Sequence, residues 1–486
     1  MRRMRKSVVT AAAAAALAAA GLSVPLSGSA AAAPAPAAGD TADFNGDGYG
    51  DVVLATPDAT VNGVKKAGHV AVLYGSKDGV AGGRKQLVSQ ASAKVPGVPE
   101  ESDRFGSAYD TGDLDGDGYT DLVVGVSGEN GEDGLMTVLW GGRGGLVHGG
   151  LSMSSPQTGL DVHYGDAVVV GDFDGDGKQQ LATRSYYGGV SLSGDGFTRT
   201  RAPKQQRLNL HGDDVFRVVA RLDAGDYDGD GDDDLLASGI ANMEADEHSG
   251  WVGYWKGGRD GVTFTRPPAA LPATISGLEG SGDVNKDGYA DVVIADKDAA
   301  HGGAVGVYYG GKRGPGSGGG TVLDQESPGV PGDGADADRF GASASVGDVD
   351  GDGYADVAVG APGEDADAPD SGAVYLLKGS ASGLTGTGAQ VLSQSTAGVP
   401  GAAEDADRFG SAVQARGTDT DGDGRAEVVV AASGEDVFPG ARWDDGSAWV
   451  LRGAADGVTA AGAYSISEKA FGLTYQNKRF GSVLGR

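Results

Sequence analysis

An aspartate-rich motif of nine residues recurs seven times in this chain, and no other feature restricts the possible folds so strongly. The clearest copy, within GDLDGDGYTDLVVG, begins at Asp113. The other copies begin at Asp43, Asp172, Asp226, Asp283, Asp348 and Asp419. Carboxylates about 4 Å apart repel by roughly 1 kcal/mol even in water. The motif therefore predicts a positive group among the aspartates.

The spacing of the motif indicates a β-sheet repeat. Successive copies lie 54 to 71 residues apart, and the intervals contain no amphipathic helical pattern. Each motif is followed by a β-branched run such as DVVLAT or DLVVGV, and then by a second run such as HVAVLYGS or AVYLLKGS. Both runs are typical of strands. Repeats this long favour one four-stranded antiparallel sheet per unit over a helical hairpin.

A Phe-Gly pair precedes several of the motifs. It occurs in Arg104-Phe105-Gly106, Arg339-Phe340-Gly341 and Arg408-Phe409-Gly410, and in weakened form as Tyr164-Gly165. One aromatic per repeat at a nearly constant position is most simply packing between neighbouring sheets, with the glycine allowing close backbone approach. Ligand contact by these aromatics is the alternative.

The two ends of the chain predict a closed ring. The first motif has no Phe-Gly before it, whereas Arg479-Phe480-Gly481 near the C-terminus has no motif after it. If the C-terminal strand FGSVLGR pairs with the first sheet, the two fragments complete each other and leave no open edge at the join. The prediction is an all-β, seven-bladed β-propeller closed in this way. An open solenoid would need terminal caps, and neither end resembles one.

The motif D-x-[DN]-x-D-G-x-x-[DE] has the donor pattern of a calcium loop. Side-chain oxygens stand at positions 1, 3, 5 and 9, a backbone carbonyl is available at position 7, and a glycine at position 6 allows a sharp turn, as calcium's six to eight oxygen ligands require. Magnesium, with its strict octahedral geometry, fits less well, and transition metals would need His or Cys. Metal-free Asp-Gly turns are the alternative, but they explain one or two aspartates rather than four at fixed offsets.

The ligand sets follow from these offsets. The first two loops comprise Asp43, Asn45, Asp47, Tyr49 and Asp51, then Asp113, Asp115, Asp117, Tyr119 and Asp121. The next two comprise Asp172, Asp174, Asp176 and Lys178, then Asp226, Asp228, Asp230, Asp232 and Asp234. The last three comprise Asp283, Asn285, Asp287, Tyr289 and Asp291, then Asp348, Asp350, Asp352, Tyr354 and Asp356, then Asp419, Asp421, Asp423, Arg425 and Glu427. The twelfth residue from Asp113 is Val124, inside a strand, so the loops join strands and are not EF-hands.

The seven loops are predicted to bind calcium unequally, at about six or seven sites. The third has Gln180 at position 9 and a positive Lys178, so it should bind weakly or not at all. Asn45, Asn285 and Lys286 lower the negative charge of the first and fifth loops, which predicts weaker affinity there. At affinities typical of extracellular modules, each bound ion would add roughly 1 to 2 kcal/mol of stability at millimolar calcium.

The N-terminal residues read as an export signal. Arg2, Arg3, Arg5 and Lys6 precede an alanine-rich apolar run that reaches small residues suited to cleavage. We expect a signal peptide at 1–33, a short linker at 34–39 and one propeller domain at 40–486. An N-terminal membrane anchor is the alternative, but the alanine-rich run is a poor span. Downstream of this run the sequence shows no further membrane-length apolar stretch, so a secreted protein without a membrane span is expected.

Charge and cysteine content limit the class of partner. The formal net charge is -30, and removal of the four basic leader residues makes it more negative still. The electrostatic field of so negative a protein repels nucleic acid and attracts cations. The sequence has no cysteine, so no disulfide holds the fold and bound calcium would replace that kind of support. We expect a monomer.

The order Phe-Gly, calcium loop, Gly-Ala-Pro resembles the FG-GAP repeat of the integrin α-subunit N-terminal propeller and of its bacterial secreted, VCBS-type relatives. The resemblance covers residues 40 to 486. It implies a seven-bladed β-propeller with calcium in hairpins on one face and, often, ligands on the opposite face. The sixth repeat matches fully, with Phe340, Gly341, Asp348, Asp350, Asp352, Asp356, Gly360, Ala361 and Pro362. The fourth repeat departs at Phe216-Arg217 and the fifth at Ile275-Ser276.

Three functions are compatible with this sequence. The first is a non-catalytic, adhesion-type module that binds a protein or glycan through blade-connecting loops such as GEDADAPDSG, ANMEADEHSG and SGEDVFPGARWDDGSA, with Trp251, Trp255 and Trp443 as candidate contacts. The second is a hydrolase, since such propellers accompany some secreted esterases and phospholipases. It lacks sequence support because there is no G-x-S-x-G motif and the six histidines (His69, His148, His163, His211, His248 and His301) form no metal-binding pair and are expected on the surface or in loops. The third is a structural envelope protein.

Overall fold

The computed structural model describes residues 41–156, 163–185, 189–208, 217–241, 249–267, 271–272, 277–438, 444–473 and 479–485. The expected signal peptide and linker therefore lie outside the described residues. So do Phe216, Ile275, Ser276, Trp443, His211 and His248. Among the described residues, no helix is long and apolar enough to span a membrane.

Seven small antiparallel sheets, called here blades 1 to 7 in chain order, make up the fold. Blade 1 holds β1 (Val52–Thr56), β2 (His69–Leu73) and β3 (Lys85–Val88). Blade 2 holds β4 (Phe105–Gly112), β5 (Asp121–Val126), β6 (Leu135–Leu139) and β7 (Gly150–Met153). Blade 3 holds β8 (Val168–Gly171), β9 (Gln180–Ser185), β10 (Gly189–Ser193) and β11 (Gln205–Leu208). Blade 4 holds β12 (Arg217–Gly225), β13 (Asp234–Ala241), β14 (Ser249–Lys256) and β15 (Thr263–Thr265).

The remaining three blades repeat the same order. Blade 5 holds β16 (Gly277–Gly282), β17 (Asp291–Asp296), β18 (Ala304–Tyr309) and β19 (Gly319–Leu323). Blade 6 holds β20 (Ser343–Gly347), β21 (Asp356–Ala361), β22 (Ala373–Lys378) and β23 (Thr385–Leu392). Blade 7 holds β24 (Phe409–Gln414), β25 (Val428–Ala432), β26 (Ser447–Ala454) and β27 (Gly457–Ile466). The described helices are one-turn α1 (Glu129–Glu132) and a 3-10 helix at Glu468–Phe471.

The all-β seven-bladed propeller predicted from the repeat is confirmed. The second strands are buried over most or all of their length, completely so in β1 and β21, because a neighbouring blade covers each face. This explains why these strands are unbroken apolar runs instead of alternating polar and apolar residues. The first strands of adjacent blades lie next to one another around the ring.

The C-terminal segment closes the ring through blade 1. Val483 and Ala55 exchange two backbone hydrogen bonds, with N···O distances of 3.0 and 3.2 Å. Blade 1 differs from the predicted four-stranded form, because its first strand, next to β1, is reduced to this single bridge beside three full strands. The closing segment is short. Beyond Val483 it bonds to side chains and not to a strand, as where the Gly485 amide donates to the Tyr109 hydroxyl.

The Phe-Gly aromatics pack between blades, as predicted. Phe105, Phe340, Phe409 and Phe480 are fully buried. The Phe409 ring meets Trp449 edge-on with the centroids 5.2 Å apart. The Phe409 backbone also pairs with Gly372 of blade 6, where φ is +83° and a Cβ atom would lie 2.2 Å from the Phe409 carbonyl oxygen. That close approach requires glycine at this interface.

Candidate calcium loops

In blades 2 to 7 the aspartate-rich loop joins the first strand to the second, and in blade 1 it leads into β1, so all seven loops lie on one face of the propeller. The C-terminal segment at Val483 takes the place of the first strand in blade 1. The side chain at position 2, such as Phe44 or Val349, is buried and anchors the loop to the core. Position 9 begins the second strand or directly precedes it, so the side chain at this position is fixed by the sheet itself.

The position 1 carboxylate organises each loop. In the second loop, the Asp113 carboxylate accepts hydrogen bonds from the amides of Gly116, Asp117 and Gly118 at 2.8 to 3.1 Å. The sixth loop repeats this at Asp348 with the amides of Gly351 and Gly353. The backbone thus curls around one aspartate and turns the later donors toward it.

Backbone hydrogen bonds link neighbouring loops around the ring. The amide at position 8 of one loop donates to the carbonyl at position 1 of the preceding loop, as in Ala355 to Asp283 at 3.0 Å and Ala426 to Asp348 at 2.8 Å. The same bond joins Gly50 of the first loop to Asp419 of the seventh at 2.7 Å. Ring closure therefore extends to the loops. Each of these bonds holds the residue directly after position 7, whose carbonyl is the expected ligand.

The position 9 carboxylates are buried and held by the backbone. Asp356 accepts hydrogen bonds from the amides of Val349 (3.3 Å) and Gly379 (3.0 Å), and Asp51 and Asp121 repeat this arrangement. Burial raises the pKa of Asp51 to about 8. It raises the pKa to about 7 for Asp121, Asp234, Asp291, Asp356 and Glu427. A bound cation would offset this cost of burying a charge.

Oxygen atoms of three acidic residues converge within 4.8 Å in five of the loops. The groups are Asp113, Asp115 and Asp121; Asp172, Asp174 and Asp176; Asp226, Asp228 and Asp230; Asp348, Asp350 and Asp356; and Asp419, Asp421 and Asp423. In the first and fifth loops, position 3 is Asn45 or Asn285, whose amide oxygen accepts from the position 5 amide. These loops offer the same pattern with one carboxylate fewer.

One direct structural observation shows that these oxygen donors suit a calcium ion. The Oδ1 atoms of Asp115 and Asp228, both at position 3, are buried and have no hydrogen-bond partner. A buried carboxylate oxygen without a partner is costly, and a hard cation among oxygen donors would satisfy it. Asp115, Asp228 and their neighbours would hold the ion, which would supply positive charge to crosslink the loop.

The third loop is blocked, despite its three converging aspartates. The Gln180 amide nitrogen donates to Asp174 (3.1 Å) and to the carbonyl of Lys178 (3.0 Å), at positions 3 and 7. Its amide oxygen takes over the position 9 role by accepting from Phe173 at 2.7 Å. The Lys178 ammonium pairs with Asp176. The aspartates converge, but an NH₂ group already lies between two of the oxygen donors that a cation would need.

The position 7 side chains take no part in the ligand set. A Cβ on Gly46 would lie 2.6 Å from the Tyr119 ring, so this tyrosine packs over position 4 of the preceding loop. Tyr49 packs in the same way over Gly422, and Tyr289 over Gly229. Arg425 lies over Gly351 and pairs with Asp423 at 2.9 Å. At each position 7 in the predicted ligand sets, only the backbone carbonyl is therefore suited to bind an ion.

Sequence reasoning missed four basic residues that bind the loops. Lys378 lies 2.6 Å from Asp350, Arg452 lies 2.6 Å from Asp421, and Lys256 lies 2.8 Å from Asp230 and also pairs with Asp228. Arg199 crosses from blade 3 to Asp115 of blade 2 at 3.0 Å. The first three share one signal: each precedes a glycine at or near the end of the third strand of its blade.

Two of the other candidate residues belong to the core. Trp255 is buried with its ring edge-on to Phe264 at 5.6 Å, and Trp251 is half-buried with its indole nitrogen donating to the Val218 carbonyl. The expectation for His69 was wrong: it lies in β2, fully buried against Phe480. Burial lowers the pKa of His69 to about 4.

Comparison with known proteins agrees with this geometry. The FG-GAP repeat model matches residues 35–73, 105–139 and 340–377, which include loop, second strand and third strand of blades 1, 2 and 6. Phosphatidylinositol-glycan-specific phospholipase D of Rattus norvegicus is 31% identical over 149 residues, covering 30% of this chain and 18% of that protein. Integrin alpha pat-2 of Caenorhabditis briggsae is 35% identical over 237 residues, covering 47% of this chain and 18% of that protein.

A third relative and one solved structure complete the comparison. Integrin alpha-5 of Xenopus laevis is 39% identical over 101 residues, covering 20% of this chain and 9% of that protein. The solved exotype rhamnogalacturonan lyase YesX aligns at 12% identity with a TM-score of 0.29, over 70% of this chain and 65% of that chain, a likeness too weak to carry an argument. The matches cover less than a fifth of the length of the curated relatives. The chain is an FG-GAP repeat β-propeller, related to the integrin α-subunit propeller and to phosphatidylinositol-glycan-specific phospholipase D.

Proposed function

We propose that this chain is a secreted, calcium-stabilised FG-GAP propeller that binds an extracellular protein or glycan without catalysis. One observation carries the calcium part: the buried, unpartnered carboxylate oxygens of Asp115 and Asp228 within loops whose donors are all oxygen. Six loops take calcium and the third, blocked by Gln180, does not. At millimolar calcium these ions together stabilise the fold by roughly 6 to 12 kcal/mol.

The face opposite the calcium loops is the proposed ligand face. Loops between the second and third strands and between successive blades meet there, including the exposed acidic residues Asp365 and Asp367. A cavity of about 290 Å³ on this face lies among Asp298, Asp336, Arg339, Pro362, Asp370 and Arg408. Carboxylates and guanidinium groups in one concave site suit the hydroxyl groups of a glycan or polar groups of a peptide.

A binding screen tests the ligand part. Protein purified from the medium of an expressing host is applied to glycan and extracellular-protein arrays in calcium and in chelator. We expect saturable binding in calcium that Arg339→Ala weakens at least tenfold. The matched control is Arg313→Ala, an exposed arginine on the calcium face, which should bind as the wild type does. Binding that Arg339→Ala leaves unchanged would contradict the placement of the ligand site on this face. Absence of binding both in calcium and in chelator would favour a structural envelope role.

Export is tested with the full sequence. Expression of all 486 residues should yield a product in the medium whose N-terminus lies near residue 34. A cell-retained product that still begins at Met1 would contradict the proposal of secretion.

A hydrolase is the second candidate, favoured by the similarity to the phospholipase D relatives. The five converging acidic groups among the described residues contain aspartate only and include no histidine. Incubation with phospholipid, ester and glycoside substrates decides between the two functions. Turnover that follows the purified protein through two chromatographic steps would replace the binding proposal.

A further inference from the structure

We propose that the basic residues reaching into the calcium loops compensate the extra charge of aspartate at position 3 and thereby weaken calcium binding there to the level of the asparagine loops. The inference rests on the proposed calcium sites. It concerns residues of this chain that lie outside the repeat's ligand pattern.

Position 3 and the basic residues vary together. Where position 3 is aspartate and position 9 is acidic, a Lys or Arg binds that aspartate. The pairs are Arg199 with Asp115, Lys256 with Asp228, Lys378 with Asp350 and Arg452 with Asp421. Where position 3 is Asn45 or Asn285, no basic side chain among the described residues bonds to it. The extra negative charge and the extra positive charge therefore occur together.

The third strand supplies the partner at one fixed place. Lys256, Lys378 and Arg452 each directly precede a glycine at or near the end of the third strand. In blades 1 and 5, with asparagine at position 3, the same place holds Tyr74 and Tyr309. These rings turn away from the loops: the Tyr74 hydroxyl donates to Gln86 at 2.7 Å and the Tyr309 hydroxyl to Thr321 at 2.8 Å. In these five blades the loop type therefore follows a single residue outside the loop.

Blade 2 is informative because it combines Asp115 with an aromatic residue, Trp140, at that place. Its compensating charge comes instead from the next blade. Arg199, in the turn before β11, pairs with Asp115 and Asp117 and donates to the Gly141 carbonyl at 3.3 Å. Two different routes thus deliver a positive charge to the same ligand position.

The sixth loop shows how close this charge is to the ligands. The Lys378 ammonium lies 2.6 Å from Asp350 and 3.5 Å from Asp356, the ligands at positions 3 and 9, and its side chain is 12% exposed. Lys286 and Arg425 from the neighbouring loops donate here to the backbone carbonyls of Asp352 and Asp350, and Lys286 also lies over the Tyr354 ring. A positive charge beside a divalent ion repels it, whether calcium displaces the ammonium or binds next to it. Coulomb repulsion at this range in a high-dielectric setting amounts to about a tenfold change in affinity.

Four variants of the full chain, exported and purified, test the inference. They are Lys378→Met, Asp350→Asn, the double variant, and the control Lys297→Met, which removes an exposed lysine paired with Asp298 at the other end of a blade. The free energy of unfolding is measured by denaturant titration from chelator to 10 mM calcium. The calcium-dependent part of this free energy reports the affinity of the changed site.

We expect Lys378→Met to bind calcium about tenfold more tightly at this site, Asp350→Asn about tenfold more weakly, and the double variant within about twofold of wild type. Lys297→Met should leave the calcium dependence unchanged. If Lys378→Met also leaves it unchanged while calcium still stabilises every variant, the compensation is wrong and the calcium sites stand. If calcium stabilises no variant, the proposed calcium function itself fails.

Discussion

The third and sixth loops share their position in the blade and the residues at positions 1, 3, 4, 5 and 6, yet one is blocked and the other is open. In the third, Gln180 places its amide nitrogen between Asp174 and the Lys178 carbonyl. In the sixth, Asp356 occupies the same place as a buried carboxylate with a pKa raised to about 7. Position 9 thus decides whether a loop satisfies its own oxygen donors or requires a cation.

The strongest way to break this contrast is to remove the position 9 side chain from the sixth loop. Asp356→Ala leaves the amides of Val349 and Gly379 without this acceptor and removes a ligand of the proposed calcium site. In 5 mM calcium we expect a loss of about 3 to 5 kcal/mol of unfolding free energy. Denaturant titration measures it, with Gln180→Ala as the third-loop counterpart, where no ion is lost. Equal losses in the two blades would remove the distinction between them.

The pH dependence of a second variant, Asp356→Asn, sharpens the comparison. Asparagine makes the sixth loop neutral at position 9, like the third. Without calcium, the raised pKa of Asp356 means that the folded state favours the protonated acid. Its contribution is therefore full below about pH 4 and is lost as the pH rises to about 7.

In chelator, wild type should accordingly lose roughly 2 kcal/mol relative to Asp356→Asn between pH 4.5 and pH 8. In calcium the sign should reverse, because the ionised acid binds the ion. Unfolding titrations of both proteins at the two pH values measure this difference. A difference that does not vary with pH would mean that Asp356 is not held in a protonating environment.

The smallest expected effect is a gain in the third loop. Gln180→Asp together with Lys178→Tyr gives this loop the residues that positions 7 and 9 have in the sixth. We expect one additional calcium ion per chain and about 1 kcal/mol more stability in 5 mM calcium. Equilibrium dialysis counts the ions, and Lys178→Tyr alone is the control. An unchanged count would show that more than position 9 blocks this loop.

The fold was predictable because its signals are local and repeated. Loop, second strand and third strand follow one another within about 35 residues. Where one copy of the repeat leaves a strand assignment ambiguous, the other six copies settle it. Ring closure was predictable from Phe480 because an incomplete first repeat needs a partner. The reduction of the first strand of blade 1 to the Ala55–Val483 bridge was not predictable, since no pattern states how many residues of a short closing segment will pair.

The basic partners of the loops were missed for a different reason. Lys378 lies 22 residues after Asp356, and only the β21–β22 register brings its side chain to the loop. Alignment of the seven copies on the glycine after the third strand would have revealed it. His69 was misplaced because a histidine in an apolar run reads as a surface residue, whereas both faces of β2 are covered by neighbouring blades.

Thermal unfolding of the purified, exported protein tests the central claim most directly. It is scanned in 5 mM calcium, in excess chelator and in chelator with 5 mM magnesium. For a chain of this size, six ions should raise the Tm by roughly 10 °C in calcium over chelator, with little recovery in magnesium. Superimposable transitions in calcium and chelator would show that the loops do not hold the ions on which this account depends.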